Sequence, residues 1–215
     1  MATKKKAAKP AETVTTVKGS LKLKSGKPAE VTSSKVAYEG PLFNVLKEQV
    51  KEPGLETGIG SVERDIIRHN GSVVILAVDE SKSKKDPYVV VERQYRHAAG
   101  QFLYELPAGK VDAGEERLAA AKRELIEETG FRAKKWTKLS RYYASPGFLG
   151  EWMQVYLAEG LTLGDATPEA DERIQLFLVP LSELLRLIEG GKIEDGKTIL
   201  SVLLYARMKQ ARKKA

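Results

Sequence analysis

Residues 109–131 read Gly-Lys-Val-Asp-Ala-Gly-Glu-Glu-Arg-Leu-Ala-Ala-Ala-Lys-Arg-Glu-Leu-Ile-Glu-Glu-Thr-Gly-Phe, and the spacing of their charges decides how the rest of the chain is read. Glu124, Glu127 and Glu128 fall within about one helical turn, where residues three and four apart are neighbours on one face. Like charges so placed destabilise a bare helix, so a counter-charge is expected. A hard divalent cation with oxygen ligands, Mg²⁺ or alternatively Mn²⁺, suits that role. Gly109 and Gly114 bracket a short turn, and Glu115 and Glu116 suit the positive end of a helix. Leu118, Ala121 and Leu125 recur as a buried stripe, and Gly130 is a good C-cap residue. The spacing predicts a helix over about 115–129.

An ordinary surface helix rich in Glu and Lys has the same composition, so the glutamates alone do not separate the two readings. The full register is more restrictive. Gly109, five residues, Glu115, seven residues, then Arg123-Glu124-Leu125-x-Glu127-Glu128-x-Gly130-Phe131 resembles the Nudix box at every specified position. That resemblance implies a Nudix α/β/α sandwich built on a mixed sheet, and metal-dependent attack on a diphosphate linkage.

The bulk properties set the frame. The chain has 215 residues, enough for one sizeable domain and an extension. It has no cysteine, which excludes disulfides and thiol chemistry and fits a reducing cytoplasm. The apolar run Val73–Val78 is far too short to span a bilayer, and no apolar segment follows the N-terminal lysines. A net charge of +7 hides a division. Residues 1–35 hold nine Lys against Glu12 and Glu30, and residues 206–215 hold five basic residues and no acid, leaving 36–205 at about −5. The basic tails, 1–32 and 209–215, are expected to be solvated extensions, with nonspecific polyanion contact as their one further role. No aromatic stands among their lysines to stack a base.

Between the tails, β-like runs are read at 34–38, 43–50, 62–69, 73–78, 88–93, 136–143, 153–158 and 174–179. Asn70-Gly71 between two of them is a hairpin signal. Helices are read at 181–189 and 198–208, the second with Asp195 as a cap. The first strands form a small β extension at 33–60, ahead of a main domain at 61–208.

The flanks of the box narrow the resemblance. Residues 93–115 carry Gln94-Tyr95-Arg96 and Glu105-Leu106-Pro107-Ala108-Gly109, and Pro146 stands sixteen residues beyond Gly130. These features are similar to those of the ADP-ribose pyrophosphatase subfamily, over about Val36 to Tyr205. The resemblance implies a homodimer joined through the β extension, and two or three divalent ions. It assigns metal binding to the Ala108 carbonyl, Glu124, Glu128 and Glu172, with Glu127 as a third box carboxylate that can join them. Arg123 would hold that cluster in place, and Glu115 is either a helix-end acid or a supporting group. Substrate contacts are expected at Arg64, Arg96, Glu105 and Glu151, because the planar fork of Arg matches phosphate oxygens. Arg93 is read as surface or structural, and His69 as a structural residue first and a substrate contact second. Counting back from Gly191-Lys192-Ile193 puts Glu172 at a metal position but Ala170 at the position of the general base. Glu169 or Asp171 is expected to serve instead, with Glu127 in reserve. The substrate implied is ADP-ribose. GDP-mannose or another nucleoside diphosphate sugar is the alternative, ahead of a noncatalytic nucleotide-binding or polyanion-binding protein.

Overall fold

The computed structural model describes residues 26–40, 43–53, 60–167 and 173–212. Strands β1 (Glu30–Glu39), β2 (Asn44–Lys51) and β3 (Val62–Ile67) form a small antiparallel sheet in that order. The main sheet runs β10 (Gln175–Pro180), β5 (Tyr88–Arg96), β4 (Ser72–Asp79), β9 (Trp152–Leu163) and β8 (Phe131–Tyr143). Two short strands branch from it: β6 (Gln101–Glu105) pairs with β5, and β7 (Ala108–Lys110) pairs with β4. The β4–β9 pairing is parallel and the others are antiparallel, so the sheet is mixed.

Strand β4 shows why this sheet needs a layer on each face. Val73 to Val78 are all fully buried. Val73, Ile75 and Ala77 pack with Ala120, Ala121 and Leu125 of α1 (Arg117–Thr129). Val74, Leu76 and Val78 pack with Leu184 of α2 (Leu181–Glu189) and with Val202 and Tyr205 of α3 (Gly196–Arg212). Alternate side chains thus enter opposite cores, which is why the run reads as continuously apolar rather than alternating. The expected α/β/α sandwich on a mixed sheet is what forms. Among the described residues, no helix is long and apolar enough to cross a membrane.

Several local expectations are corrected. Asn70-Gly71 does not close a hairpin, because β3 and β4 lie in different sheets. Strand β3 exposes Glu63, Arg64 and Asp65 and pairs with β2, whereas β4 is apolar on both faces and takes a central place between β5 and β9. The small sheet therefore has three strands and runs to Ile67, past the expected limit at 60. It also begins at Glu30, ahead of 33. Helix α1 starts at Arg117, because Glu116 keeps an extended backbone (φ −69°, ψ 131°). Strands β6 and β7 had no signal of their own, being short and flanking the Pro107 turn. Helix α3 continues to Arg212, so part of the expected C-terminal tail is helical.

Candidate active site

Helix α1 ends where the sequence places its cap. Gly130 adopts φ +71°, a left-handed conformation open to glycine, and its N–H donates to the Ile126 carbonyl at 2.8 Å. Burial of Ala121 and Leu125 sets the rotation of the helix against the sheet, and so brings Glu124 and Glu128, on the flank of that same face, beside Ala108 and Gly109. Together these elements floor a cleft of about 550 Å³. Arg96 and Lys197 line one part of it, and His69, Ser72, Glu151 and Met153 another.

Arg123 organises the floor. Its Nε and Nη2 donate to the two oxygens of Glu115, each at 3.0 Å. Nη1 donates to Glu124 at 2.9 Å and Glu127 at 2.8 Å, and Nη2 donates to the Lys110 carbonyl at 3.1 Å. Those five bonds match the five N–H groups of a guanidinium. The bond to Glu115 contributes most to raising the Arg123 pKa above the ordinary guanidinium range, against the opposing effect of desolvation. Glu115 in turn is held below the usual carboxylate range, first by its bond to Arg123. Glu115 is thus a supporting group that clamps Arg123, and it also accepts from the Asp112 N–H at 3.2 Å.

Two further contacts tie α1 to β7. Buried Glu128 accepts from the Ala108 N–H through Oε2 at 3.1 Å. Gly109 lies so close to Glu124 that a Cβ there would overlap its carboxylate.

The donors expected to hold a divalent ion are all oxygens, which is the chemistry of hard cations. One of them, Glu124, packs against Gly109 so closely that no side chain would fit there. Among the described residues, no three acidic or histidine side chains stand as a ready-made metal site. Arg123 already supplies a cation among Glu115, Glu124 and Glu127. The donor set fits the ion in kind.

A second charged network lies at the Arg96 wall. Arg96 Nε and Nη2 donate to the two oxygens of Glu105 at 2.8 and 3.0 Å. Lys197 also donates to Glu105, and sits 3.1 Å from Asp195. Burial alone would push the Glu105 pKa up, but Arg96 and Lys197 together hold it below the usual carboxylate range. Asp195 accepts from the N–H and hydroxyl of Thr198, as expected of a cap on α3, and Thr198 Oγ1 accepts from Leu106 N–H at 2.8 Å. Lys197 carries no motif signal. Only its place two residues after the cap brings it to the cleft, and sequence reasoning missed it.

The other expected residues fall as follows. Glu151 lines the cleft and accepts from Ser72 Oγ at 2.6 Å. His69 lines it too, and its Nδ1 accepts from the Gly71 N–H at 3.0 Å. Arg64 lies on the small sheet, gripped by Glu52 at 2.7 and 3.1 Å, and does not line the cleft. Arg93 pairs with Gln175 and covers the Phe102 ring. Glu169, Asp171 and Glu172 lie outside the described residues. The segment leading to them is anchored where Thr167 N–H donates to the Glu127 carbonyl at 3.0 Å.

Comparison with known proteins gives the family and the fold. Residues 68–201 match the model of the NUDIX domain. The chain is 36% identical to an ADP-ribose pyrophosphatase of Bacillus subtilis over 81% of its own length and 90% of that protein's. It is likewise 36% identical to an ADP-ribose pyrophosphatase of Mycobacterium tuberculosis, over 81% of both chains. In fold it is similar to the crystal structure of an ADP compounds hydrolase, with a TM-score of 0.70 at 19% identity, covering 89% of this chain and all of that one. With the box running intact from β7 through α1, the matched domain and relatives aligned over most of their length, the chain belongs to the Nudix family.

Proposed function

We propose that this protein hydrolyses the diphosphate bond of ADP-ribose, giving AMP and ribose 5-phosphate, with Mg²⁺ as the physiological ion and Mn²⁺ as a substitute. The observation that carries the reading is the Arg123 cluster, which holds the box carboxylates at one end of a cleft whose other wall presents Arg96. The similarity to ADP-ribose pyrophosphatases over most of the chain supports the choice of substrate.

Glu124, Glu128, the Ala108 carbonyl and Glu172 are the groups that would hold two or three ions, which when bound would neutralise the diphosphate and acidify the attacking water. The protein's own groups do the rest. Glu105 occupies one edge of the Arg96 guanidinium and leaves its remaining N–H groups for phosphate oxygens. Glu151, steadied by Ser72, is placed to accept a hydroxyl of the substrate. A carboxylate of the 169–172 segment, Glu169 first and Asp171 second, would take the proton from the attacking water, and Glu127 is the reserve. The anchoring of Thr167 on α1 supports this, because it starts that segment beside the box.

Homodimer formation through the small sheet belongs to the same proposal. All ten residues of β1 are exposed, with Val31, Val36 and Tyr38 each about half accessible, a face suited to a second copy. Arg64 on that sheet would then reach a substrate only across the dimer. A cytoplasmic location and nonspecific polyanion contact by the basic tails complete the reading. The test is a panel of ADP-ribose, GDP-mannose, UDP-glucose, NADH and diadenosine polyphosphates with Mg²⁺, scored by products. Preferential cleavage of GDP-mannose would move the assignment to the alternative sugar.

A further inference from the structure

We infer that Lys197, at the start of α3, is a substrate-positioning residue that acts through Glu105 on Arg96. The inference rests on the diphosphate reading of the cleft.

Three observations carry it. Lys197 is almost fully buried, yet lines the cleft, so its ammonium is a built part of the wall rather than a solvated surface charge. Its bonds go to Glu105 and Asp195, both mostly buried carboxylates. The two oxygens of Glu105 grip the Arg96 fork. A lone buried carboxylate shared between two cations is pulled toward both. With Lys197 in place, Glu105 is fixed from behind, and Arg96 meets a stationary partner.

The rest of the network makes that point rigid. Asp195, which faces the Lys197 ammonium, is bonded to the Thr198 N–H and hydroxyl. Thr198 Oγ1 receives the Leu106 N–H, and the neighbouring Pro107 carbonyl receives the Ile75 N–H of the central strand at 2.8 Å. Helix α3 is thereby locked to the segment 105–108 that leads into β7. Lys197 transmits that fixed position to the guanidinium. Guanidinium orientation matters because bidentate contact with a phosphate requires the planar fork to be aligned, unlike the point charge of a lysine.

A double-mutant cycle on the full chain tests this. K197M, R96M and K197M/R96M are compared in ADP-ribose kinetics and in calorimetric binding of ADP, which reads the diphosphate contact without turnover. K197M should raise KM and weaken ADP binding by about tenfold with kcat within about threefold, and should add almost nothing in the R96M background. E105Q, which keeps the side chain's shape, should give the same KM shift and likewise add nothing to K197M, and serves if K197M folds poorly. Equal losses in both backgrounds would show that Lys197 acts independently of Arg96 and overturn the inference. So would unchanged ADP affinity in K197M, or a change in melting temperature alone. If the wild type leaves ADP-ribose intact, the substrate reading falls, and the ADP-binding cycle still decides the role of Lys197.

Discussion

The α-carbon of Gly109 faces the carboxylate of Glu124 so closely that no side chain fits between them. Strand β7 and helix α1 meet at this point, where Val73↔Gly109 pairing fixes the strand and burial of Ala121 and Leu125 fixes the helix. G109A is therefore expected to push Glu124 aside while the two cores remain intact. A displacement of about 1 Å at such a group should lower kcat by roughly a hundredfold. Turnover and melting temperature measured together check this, the expected pattern being lost rate with a small change in stability.

How much of this was legible beforehand depends on how local each signal is. Glu124, Glu127, Glu128 and the Gly130 cap lie in one helix and its end, so their grouping follows from spacing, whereas the place of Arg123 in the cluster comes from the resemblance. The expectations for Ala108 and Arg96 come from the resemblance of the segment running into that helix. The pairing of β3 departs from its local signal: Asn70-Gly71 favours a hairpin, whereas two-sided burial of β4 decides the partner of Val62–Ile67. Lys197 was invisible for the same reason: its contact with Glu105 joins residues 92 positions apart. Arg64 matches a substrate-binding position in the resemblance, but within one chain Glu52 holds it away from the cleft.

Arg123 stabilises the fold as well as the site. Its guanidinium balances Glu115, Glu124 and Glu127, so R123A leaves three neighbouring carboxylates without their shared donor. The expected loss is about 1–3 kcal/mol of stability. Millimolar Mg²⁺ should raise the melting temperature of R123A more than that of wild type, because a bound cation replaces the missing positive charge. Thermal melts with and without Mg²⁺ measure both effects. An R123A protein as stable as wild type and indifferent to the ion would contradict this account of the cluster.

Acid sensitivity should trace in part to Asp86, far from the cleft. Its two oxygens accept from the N–H and hydroxyl of Ser182 in the first turn of α2, at 2.9 and 2.7 Å. The Ser182 hydroxyl contributes most to holding the Asp86 pKa below the usual carboxylate value, followed by the Ser182 backbone N–H. A depressed folded pKa means the stabilisation is present above the unfolded value of about 3.9 and is lost as pH falls through the folded one. D86A should therefore be less stable than wild type at pH 7 by about 1 kcal/mol. The difference should shrink below about pH 4 and close once Asp86 is protonated in both states. Denaturant titrations across that range read it directly, and a gap that persists unchanged at low pH would rule out the charged cap.

The general base separates from the metal ligands by its response to ion concentration. E169Q should lower the rate at every Mg²⁺ concentration, whereas E172Q should be partly rescued by more Mg²⁺. If E169Q and D171N each stay within about threefold of wild type, under roughly 0.7 kcal/mol of barrier, the segment does not supply the base. Glu127, held at 2.8 Å from Arg123, would then be the group to test.

The most direct measurement is product analysis of ADP-ribose incubated with Mg²⁺ and either wild type or E128Q. Glu128 joins α1 to β7 through the Ala108 N–H, and the substitution keeps its shape while removing its charge. The account predicts AMP and ribose 5-phosphate from wild type, and a rate lower by roughly a thousandfold in a folded E128Q protein. Equal turnover by the two proteins, or products other than cleavage at the diphosphate, would contradict it.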